Sequence, residues 1–235
     1  MDDIRANLAR VQERIQRAAE RAGRRAADVT LVAVSKTVPV ARVAEAIAAG
    51  VPALGENRVQ EAKEKIAALG HPVPWHLIGH LQTNKVKDAL ALFDLIHSLD
   101  RLELARECDK RARAAGKTVD VLVQVNVGGE ASKGGFEPDE VAGALETLAT
   151  LSALRVRGLM TIPPAVARAE EARGWFRTLR ALGERHRLRE LSMGMSADFE
   201  VAIEEGATMV RVGTAIFGAR PPRASVTDPP ARMAR

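Results

Sequence analysis

Short apolar runs alternate with amphipathic stretches along most of the chain. The first amphipathic stretch begins at Ile4, and its apolar positions recur at steps of three, four and seven, which is the spacing of one helix face. The run 30–34 (TLVAV) then follows, and it is continuous, apolar and rich in β-branched residues. Such a run is typical of a strand that is buried on both faces of a parallel sheet.

The same alternation of apolar runs and amphipathic stretches repeats as far as residue 212. Strands are predicted at 30–35, 51–55, 75–79, 94–98, 121–126, 155–160, 190–193 and 209–212, and the helices between them at 40–49, 57–69, 82–91, 101–115, 138–149, 167–187 and 197–205. Parallel strands need crossover helices, and eight such units fit a chain of 235 residues. The sequence therefore predicts an α/β fold, a single (β/α)8 TIM barrel with an extra N-terminal helix. A doubly wound open sheet is the alternative.

We expect one domain over residues 1–220 and a disordered basic tail over 221–235, because no linker-like segment divides the chain before Pro221. The amino terminus lacks the features of a signal peptide, and no apolar run approaches the ~20 residues that span a bilayer. The single cysteine, Cys108, excludes an intrachain disulfide framework and fits a reducing compartment. These observations predict a cytoplasmic protein without a membrane segment.

The basic charge is concentrated near the carboxyl end. The chain has a net charge of +5 and a pI of about 9.8, but residues 218–235 alone carry +3, which leaves +2 for the rest. Aromatic residues make up 3% and tyrosine is absent. Because proteins that bind single strands use aromatic side chains as stacking platforms, we expect no nucleic-acid partner.

Polar residues stand at the carboxyl ends of the predicted strands, which is the active face of this barrel. Lys36 is the most informative, since it is the only one of eight lysines that directly continues an apolar strand. An amine in a desolvated pocket loses its preference for the charged form, and the neutral amine condenses with a carbonyl to form a Schiff base. The alternative is a lysine whose side chain extends from the strand end to solvent.

A phosphate site is predicted after the last two strands. Ser196 is expected to cap a helix that starts at Ala197, and Gly213 and Thr214 follow the eighth strand, which contains Arg211. In TIM barrels the loops after strands seven and eight commonly bind phosphate. The alternative is that Ser196 only caps a helix and Gly213 only makes a turn.

Other chemistries fit less well. His76 and His80 are separated by strand-like residues, so we expect no metal site. The segment 194–198 resembles the hydrolase nucleophile elbow, but Asp198 stands where the last glycine should be. The glycine-rich fingerprints of ATP-binding and dinucleotide-binding proteins are missing from the sequence.

Seven motifs between Val34 and Gly218 together resemble the pyridoxal phosphate homeostasis proteins, whose fold is similar to the barrel domain of alanine racemase. The motifs are VSKT at 34–37, GENRVQE at 55–61, WHLIGHLQTNK at 75–85, VNVGGE at 125–130, RGLM at 157–160, SMGMSADFE at 192–200 and VRVGTAIFG at 210–218. One departure is Gly128, where many members carry a small polar residue.

The resemblance implies a role for each candidate residue. Lys36 would hold pyridoxal 5′-phosphate (PLP) as an internal aldimine. Ser196, Gly213 and Thr214 would contact its phosphate, and Arg211 would face the pyridine nitrogen. The remaining residues that would line the cofactor are Asn57, His80, Asn126 and Met160.

The same residues predict a carrier more than a catalyst. A racemase needs a base on each face of the α-carbon, and the similar racemase uses a tyrosine, a residue type that this chain lacks. A cation at the ring nitrogen also weakens the electron sink that carbanion chemistry requires. The family is regarded as non-enzymatic, so we expect the protein to supply or buffer PLP and to contact PLP-requiring apo-enzymes transiently. We also expect a monomer. The alternatives are a racemase with His80 as the second base, or a Schiff-base aldolase.

Overall fold

Eight parallel strands close into a barrel in this computed structural model, which describes residues 3–130 and 133–218. Each strand pairs with its neighbours in the sequence, and the first pairs with the last. The strands are β1 (Thr30–Val34), β2 (Ala53–Glu56), β3 (Trp75–Leu77), β4 (Leu95–Leu99), β5 (Val119–Gln124), β6 (Leu154–Met160), β7 (Glu190–Met195) and β8 (Met209–Val212). The predicted TIM barrel is confirmed, and the predicted tail lies outside the described residues.

Helices separate the strands and surround the barrel. Within the described ranges they are α1 (Ile4–Arg21), α2 (Val40–Ala48), α3 (Val59–Leu69), α4 (Val86–Leu92), α5 (Leu102–Ala114), α6 (Val141–Leu148), α7 (Arg173–Arg185), α8 (Phe199–Glu204) and α9 (Thr214–Phe217). Two predicted helices, 82–91 and 167–187, begin instead with 3₁₀ turns at Thr83–Lys85 and Ala169–Ala172. Helix periodicity marks the amphipathic stretch, but it does not distinguish an α-helical first turn from a 3₁₀ turn.

The extra helix α1 is confirmed, and it packs outside the barrel against α8 and α9. Its start is fixed by Asp3, whose carboxylate accepts hydrogen bonds from the backbone N–H groups of Arg5 and Ala6 at 2.9 and 3.2 Å. The buried positions Leu8, Val11 and Ile15 form its apolar face. This helix therefore gains its stability mainly from packing.

The barrel interior has an apolar part and a polar part. Leu95, Leu122, Met160 and Met209 form the apolar cluster, and each is buried. A larger apolar core lies between the strands and the surrounding helices, and its largest fully buried side chains include Trp75, Phe176 and Phe199. The polar part contributes to the candidate site.

An irregularity in β7 sets the direction in which the chain leaves the barrel. The register of β7 against β8 shifts between Ser192 and Met195. Gly194 lies in this segment with a φ of +89°, and a Cβ there would lie 2.6 Å from that of Ala202. Only glycine fits this conformation and this close approach, so Gly194 permits the irregular end of β7.

Among the described residues, no helix combines the length and the apolar character that crossing a bilayer requires.

Candidate functional site

Six of the nine predicted site residues line one cavity of about 290 Å³ at the carboxyl ends of the strands. The six residues come from the segments that follow β1, β2, β7 and β8, and from β8 itself: Lys36, Asn57, Ser196, Arg211, Gly213 and Thr214. The volume is near the lower end of the range for small-molecule sites. These segments are far apart in sequence, and barrel closure brings them together.

The remaining lining is largely apolar. Val34, Ile78, Ile162 and Met195 contribute aliphatic and thioether surface beside the polar groups. Ligand sites commonly combine an apolar lining with a few polar groups that fix orientation. The cavity therefore suits a small ligand that combines an apolar surface with polar or charged substituents.

Arg211 is a buried cation at the base of this cavity. It is 3% exposed, and its guanidinium donates to Ser192 Oγ at 2.6 Å and to the carbonyl oxygen of Thr161 at 2.8 Å. Burial lowers the pKa of Arg211 to about 10, so it remains charged at neutral pH. Because a guanidinium can only donate hydrogen bonds, a ligand atom that meets Arg211 must be an acceptor.

A chain of hydrogen bonds continues from Arg211 across the barrel interior. Ser192 Oγ lies 2.8 Å from His97 Nδ1, and His97 Nε2 lies 3.0 Å from His76 Nδ1. Ser192 Oγ accepts from Arg211, and it can still either donate to His97 or accept from it, because a hydroxyl has one proton and two lone pairs. In the first case neutral His97 donates from Nε2 to His76, and in the second case it accepts from His76.

Burial keeps both imidazoles neutral. It lowers the pKa of His76 from 6.5 to about 4, and burial, His76 and Arg211 together lower the pKa of His97 well below its usual value. A neutral imidazole can donate at one nitrogen and accept at the other, as this chain requires.

This burial makes the folded protein sensitive to acid. Between pH 6.5 and 4 the unfolded chain binds a proton at His76 that the folded protein does not bind, so stability falls as the pH decreases. We expect His76 alone to contribute a loss of roughly 2 kcal/mol in the free energy of unfolding between pH 7 and pH 5. Urea denaturation at both pH values measures it. In His76→Gln, whose side-chain amide can accept from or donate to His97, this part of the loss should be absent, and an unchanged pH dependence would contradict the assignment.

Ser196 occupies a different place from the one predicted. Helix α8 begins at Phe199 and not at Ala197, with Asp198 at the capping position, so the prediction that Ser196 caps this helix is wrong. Asp198 instead accepts a 2.6 Å hydrogen bond from the Met195 N–H and closes the turn after β7. Residues 196–198 form this turn between β7 and α8.

The turn brings Ser196 against the loop after β8. Its Oγ accepts a hydrogen bond from the Gly213 N–H at 3.2 Å. Thr214 follows with an exposed side chain and begins the short helix α9. Two hydroxyls and the backbone amides of a first helical turn thus lie at one end of the cavity, and such groups can donate to an anion.

The other three predicted residues do not line this cavity. His80 lines a neighbouring cavity, also of about 290 Å³, which shares Asn57, Ile78 and Ile162 with the first. His80 Nδ1 lies 2.8 Å from the buried Asp100 carboxylate.

The side chains of the last two predicted residues are engaged elsewhere. Asn126 donates to Glu137 Oε1 at 2.9 Å. Met160 is fully buried in the apolar interior cluster. Neither residue is among those that line this cavity.

Two features of the site were missed in the sequence. Lys65, interpreted as one of several helical lysines, is 3% exposed and bonded to Glu56. Its position in α3 carries a signal, because Val59, Ala62 and Lys65 are three residues apart and share the buried face. The chain of hydrogen bonds from Arg211 to His76 was also missed, because no local pattern indicates a contact between β4 and β7.

The chain matches the model of the alanine racemase N-terminal domain over residues 6–221. It is 50% identical over 220 residues to the pyridoxal phosphate homeostasis protein of Aquifex aeolicus, covering 91% of this chain and 96% of that protein. It is 47% identical over 223 residues to the protein of the same name from Pseudomonas aeruginosa, covering 94% of this chain and 97% of that one.

Solved structures agree with these matches. The structure of PipY from Synechococcus elongatus with PLP bound is similar with a TM-score of 0.79 and 38% identity, over 92% of this chain and all of PipY. Alanine racemase from Clostridium difficile shares the fold, with a TM-score of 0.73 and 19% identity over 94% of this chain and 58% of the racemase. The chain therefore belongs to the pyridoxal phosphate homeostasis protein family, built on the alanine racemase N-terminal barrel.

Proposed function

We propose that this protein binds PLP in the cavity at the carboxyl ends of its strands and takes part in PLP homeostasis as a carrier. The observation that carries the proposal is the placement of an amine, a buried guanidinium and two hydroxyls around one cavity: Lys36, Arg211, Ser196 and Thr214. The names of its relatives and the PLP-bound structure of PipY support the same ligand.

The residues fit three of the polar groups of PLP. Lys36 offers an amine to the aldehyde, Arg211 offers a donor to the ring nitrogen, and the loops after β7 and β8 offer donors to the phosphate. The cofactor supplies an aldehyde that condenses with amines to form a Schiff base. We propose that Lys36 carries PLP in this way, because it is the lysine that lines the cavity with Arg211 and Ser196.

Arg211 favours binding over catalysis. Its guanidinium is charged at neutral pH, carries donors only and is held by Ser192 and the Thr161 carbonyl, so it cannot accept a hydrogen bond from a protonated ring nitrogen. The nitrogen is therefore kept as an unprotonated acceptor. A pyridine ring in that state is a weak electron sink, which disfavours the carbanions on which racemisation depends.

The chain also lacks the second base that the alanine racemase mechanism uses, since it has no tyrosine. We propose that the protein works as a monomer with little catalysis of its own, and that it passes PLP to apo-enzymes through transient contacts. The contact side would be the carboxyl end of the barrel, where the cavity opens.

The carrier proposal is tested by mixing the PLP-loaded protein with an apo-enzyme that requires PLP. The loaded protein should restore the activity of the apo-enzyme. Loaded protein alone, incubated with a panel of L-amino acids, should form neither D-amino acids, keto acids nor amines, as chiral and mass analysis would show. The colour and intact mass of the purified protein report whether PLP is carried at all.

The racemase alternative has one structural feature in its favour. The imidazole of His80 is paired with the buried Asp100 in the cavity next to Lys36, which is an arrangement suited to a general base. Efficient racemisation that is lost in both Lys36→Ala and His80→Ala would replace the carrier proposal with this one.

A further inference from the structure

The turn that carries Lys36 is held by side chains from outside the cavity. β1 ends at Val34, and Lys36 lies in the turn between Ser35 and Thr37. Lys65 Nζ donates to the Ser35 carbonyl oxygen at 2.6 Å, and the backbone N–H of Thr37 donates to Glu61 Oε1. Both backbone neighbours of Lys36 are therefore anchored.

The conformation of this turn needs such anchoring. Thr37 has a φ of +61°, in the left-handed region that β-branched residues rarely adopt. A strained backbone of this kind is unfavourable and persists only where the surrounding contacts impose it. The hydrogen bond from Thr37 to Glu61 is one such contact, and the bond from Lys65 to Ser35 is the other.

Lys65 is the centre of the arrangement. Its ammonium has three protons, and Nζ lies 2.6 to 2.7 Å from three oxygens, those of Ser35 O, Glu56 Oε1 and Glu61 Oε1. Glu56 Oε1 also accepts from the Ser35 hydroxyl at 2.6 Å. Glu56, Glu61 and Lys65, which we call the Lys65 cluster, thus join β2 and α3 to the turn.

The Lys65 cluster buries charged groups, which makes it an inefficient source of stability. Lys65 is 3% exposed and Glu56 is fully buried, and within the described chain Glu56 Oε2 has no hydrogen-bond partner. Burying charged groups carries a large desolvation cost, and well-packed apolar residues often stabilise a core as well or better. An apolar side chain would not anchor a carbonyl and an amide, whereas this cluster does both.

We propose that the Lys65 cluster is a positioning device, which fixes the Ser35–Thr37 backbone and so aims the amine of Lys36 at the aldehyde carbon of the ligand. The inference rests on the proposed function. In the described chain the cavity lining includes Lys36 and none of the three cluster residues, so the cluster acts through the turn. Small errors in the placement of reacting groups have large effects on bond formation.

The test compares PLP with pyridoxine 5′-phosphate, in which a hydroxymethyl group replaces the aldehyde, so that it cannot form a Schiff base. In Lys65→Met the affinity for PLP should fall at least tenfold, while the affinity for pyridoxine 5′-phosphate stays nearly unchanged. Lys63→Met, at an exposed position of the same helix, is the matched control and should bind both ligands like the unmodified protein.

A second pair of variants covers the case in which Lys65→Met does not fold. Glu61 is partly exposed, so its replacement is better tolerated. Glu61→Ala removes the acceptor of the Thr37 N–H and should lower the affinity for PLP selectively. Glu61→Gln retains that acceptor and should restore most of it.

A measurement without ligand tests the anchoring directly. Hydrogen exchange of the backbone amides at 35–37 should accelerate in Lys65→Met and in Glu61→Ala, but not in Glu61→Gln. Unchanged exchange would overturn the proposal, as would equal losses of affinity for the two ligands. If the unmodified protein itself shows no preference for PLP over pyridoxine 5′-phosphate, the Schiff base on Lys36 fails, and the exchange measurement still decides whether the cluster holds the turn.

Discussion

Replacing Ser196 and Thr214 together with alanine is expected to weaken the binding of PLP a hundredfold or more. Both hydroxyls lie at the end of the cavity where the loops after β7 and β8 meet. A hydrogen bond to a charged group contributes roughly 1.5 to 3 kcal/mol, which is about ten- to a hundredfold in affinity for each hydroxyl. Titration of the double variant with PLP, followed by absorbance, measures the loss.

Unphosphorylated pyridoxal is the ligand that makes this result specific. Its binding should hardly change in the double variant, because it has no phosphate to lose. Thr178→Ala serves as a control, since this residue is exposed and its hydroxyl donates to the Gly174 carbonyl oxygen within α7. Equal losses for PLP and pyridoxal would place the phosphate elsewhere.

Reduction of the PLP-loaded protein with borohydride should attach the cofactor to the peptide that contains Lys36. The reason is the position of this lysine, which lines the cavity with Arg211 while Lys65 is buried in its own cluster. Peptide mass mapping locates the adduct. The Lys36→Ala variant should carry none on that peptide and should be loaded to lower occupancy at the same PLP concentration.

Two other lysines provide the comparison. Lys133 lines the neighbouring cavity, and Lys85 is exposed at the end of a 3₁₀ turn. An adduct found mainly on either of them in the unmodified protein would overturn the assignment to Lys36. It would leave the prediction for the phosphate site intact, since that prediction depends on other residues.

The fold could be predicted because its signals are local. Each strand is a short apolar run and each helix has a face of regular spacing, so the order of the elements can be derived within windows of about a dozen residues. The bounds were less accurate where the end of an element depends on a distant contact. β7 continues to Met195, beyond the predicted residue 193, because Asp198 and β8 shape the segment that follows.

The candidate site was predicted only in part, for the same physical reason. Lys36 and Arg211 could be proposed because each interrupts an apolar strand pattern at the face where such barrels bind ligands. The residues that hold these two side chains in place could not be predicted from the sequence. Lys65 meets Ser35 across 30 positions, and His97 meets Ser192 across 95, so both contacts depend on barrel closure.

Closure of the barrel also has a consequence for synthesis on the ribosome. The side-chain amide of Asn7 in α1 donates to the carbonyl oxygen of Ile216, which lies 209 positions later. At roughly 5 to 20 residues per second, translation needs about 10 to 40 s to cover that distance. During this time the apolar face of α1 has emerged without α8 and α9, the helices it packs against. The apolar face of α1 therefore stays without these two partners until most of the chain has been synthesised.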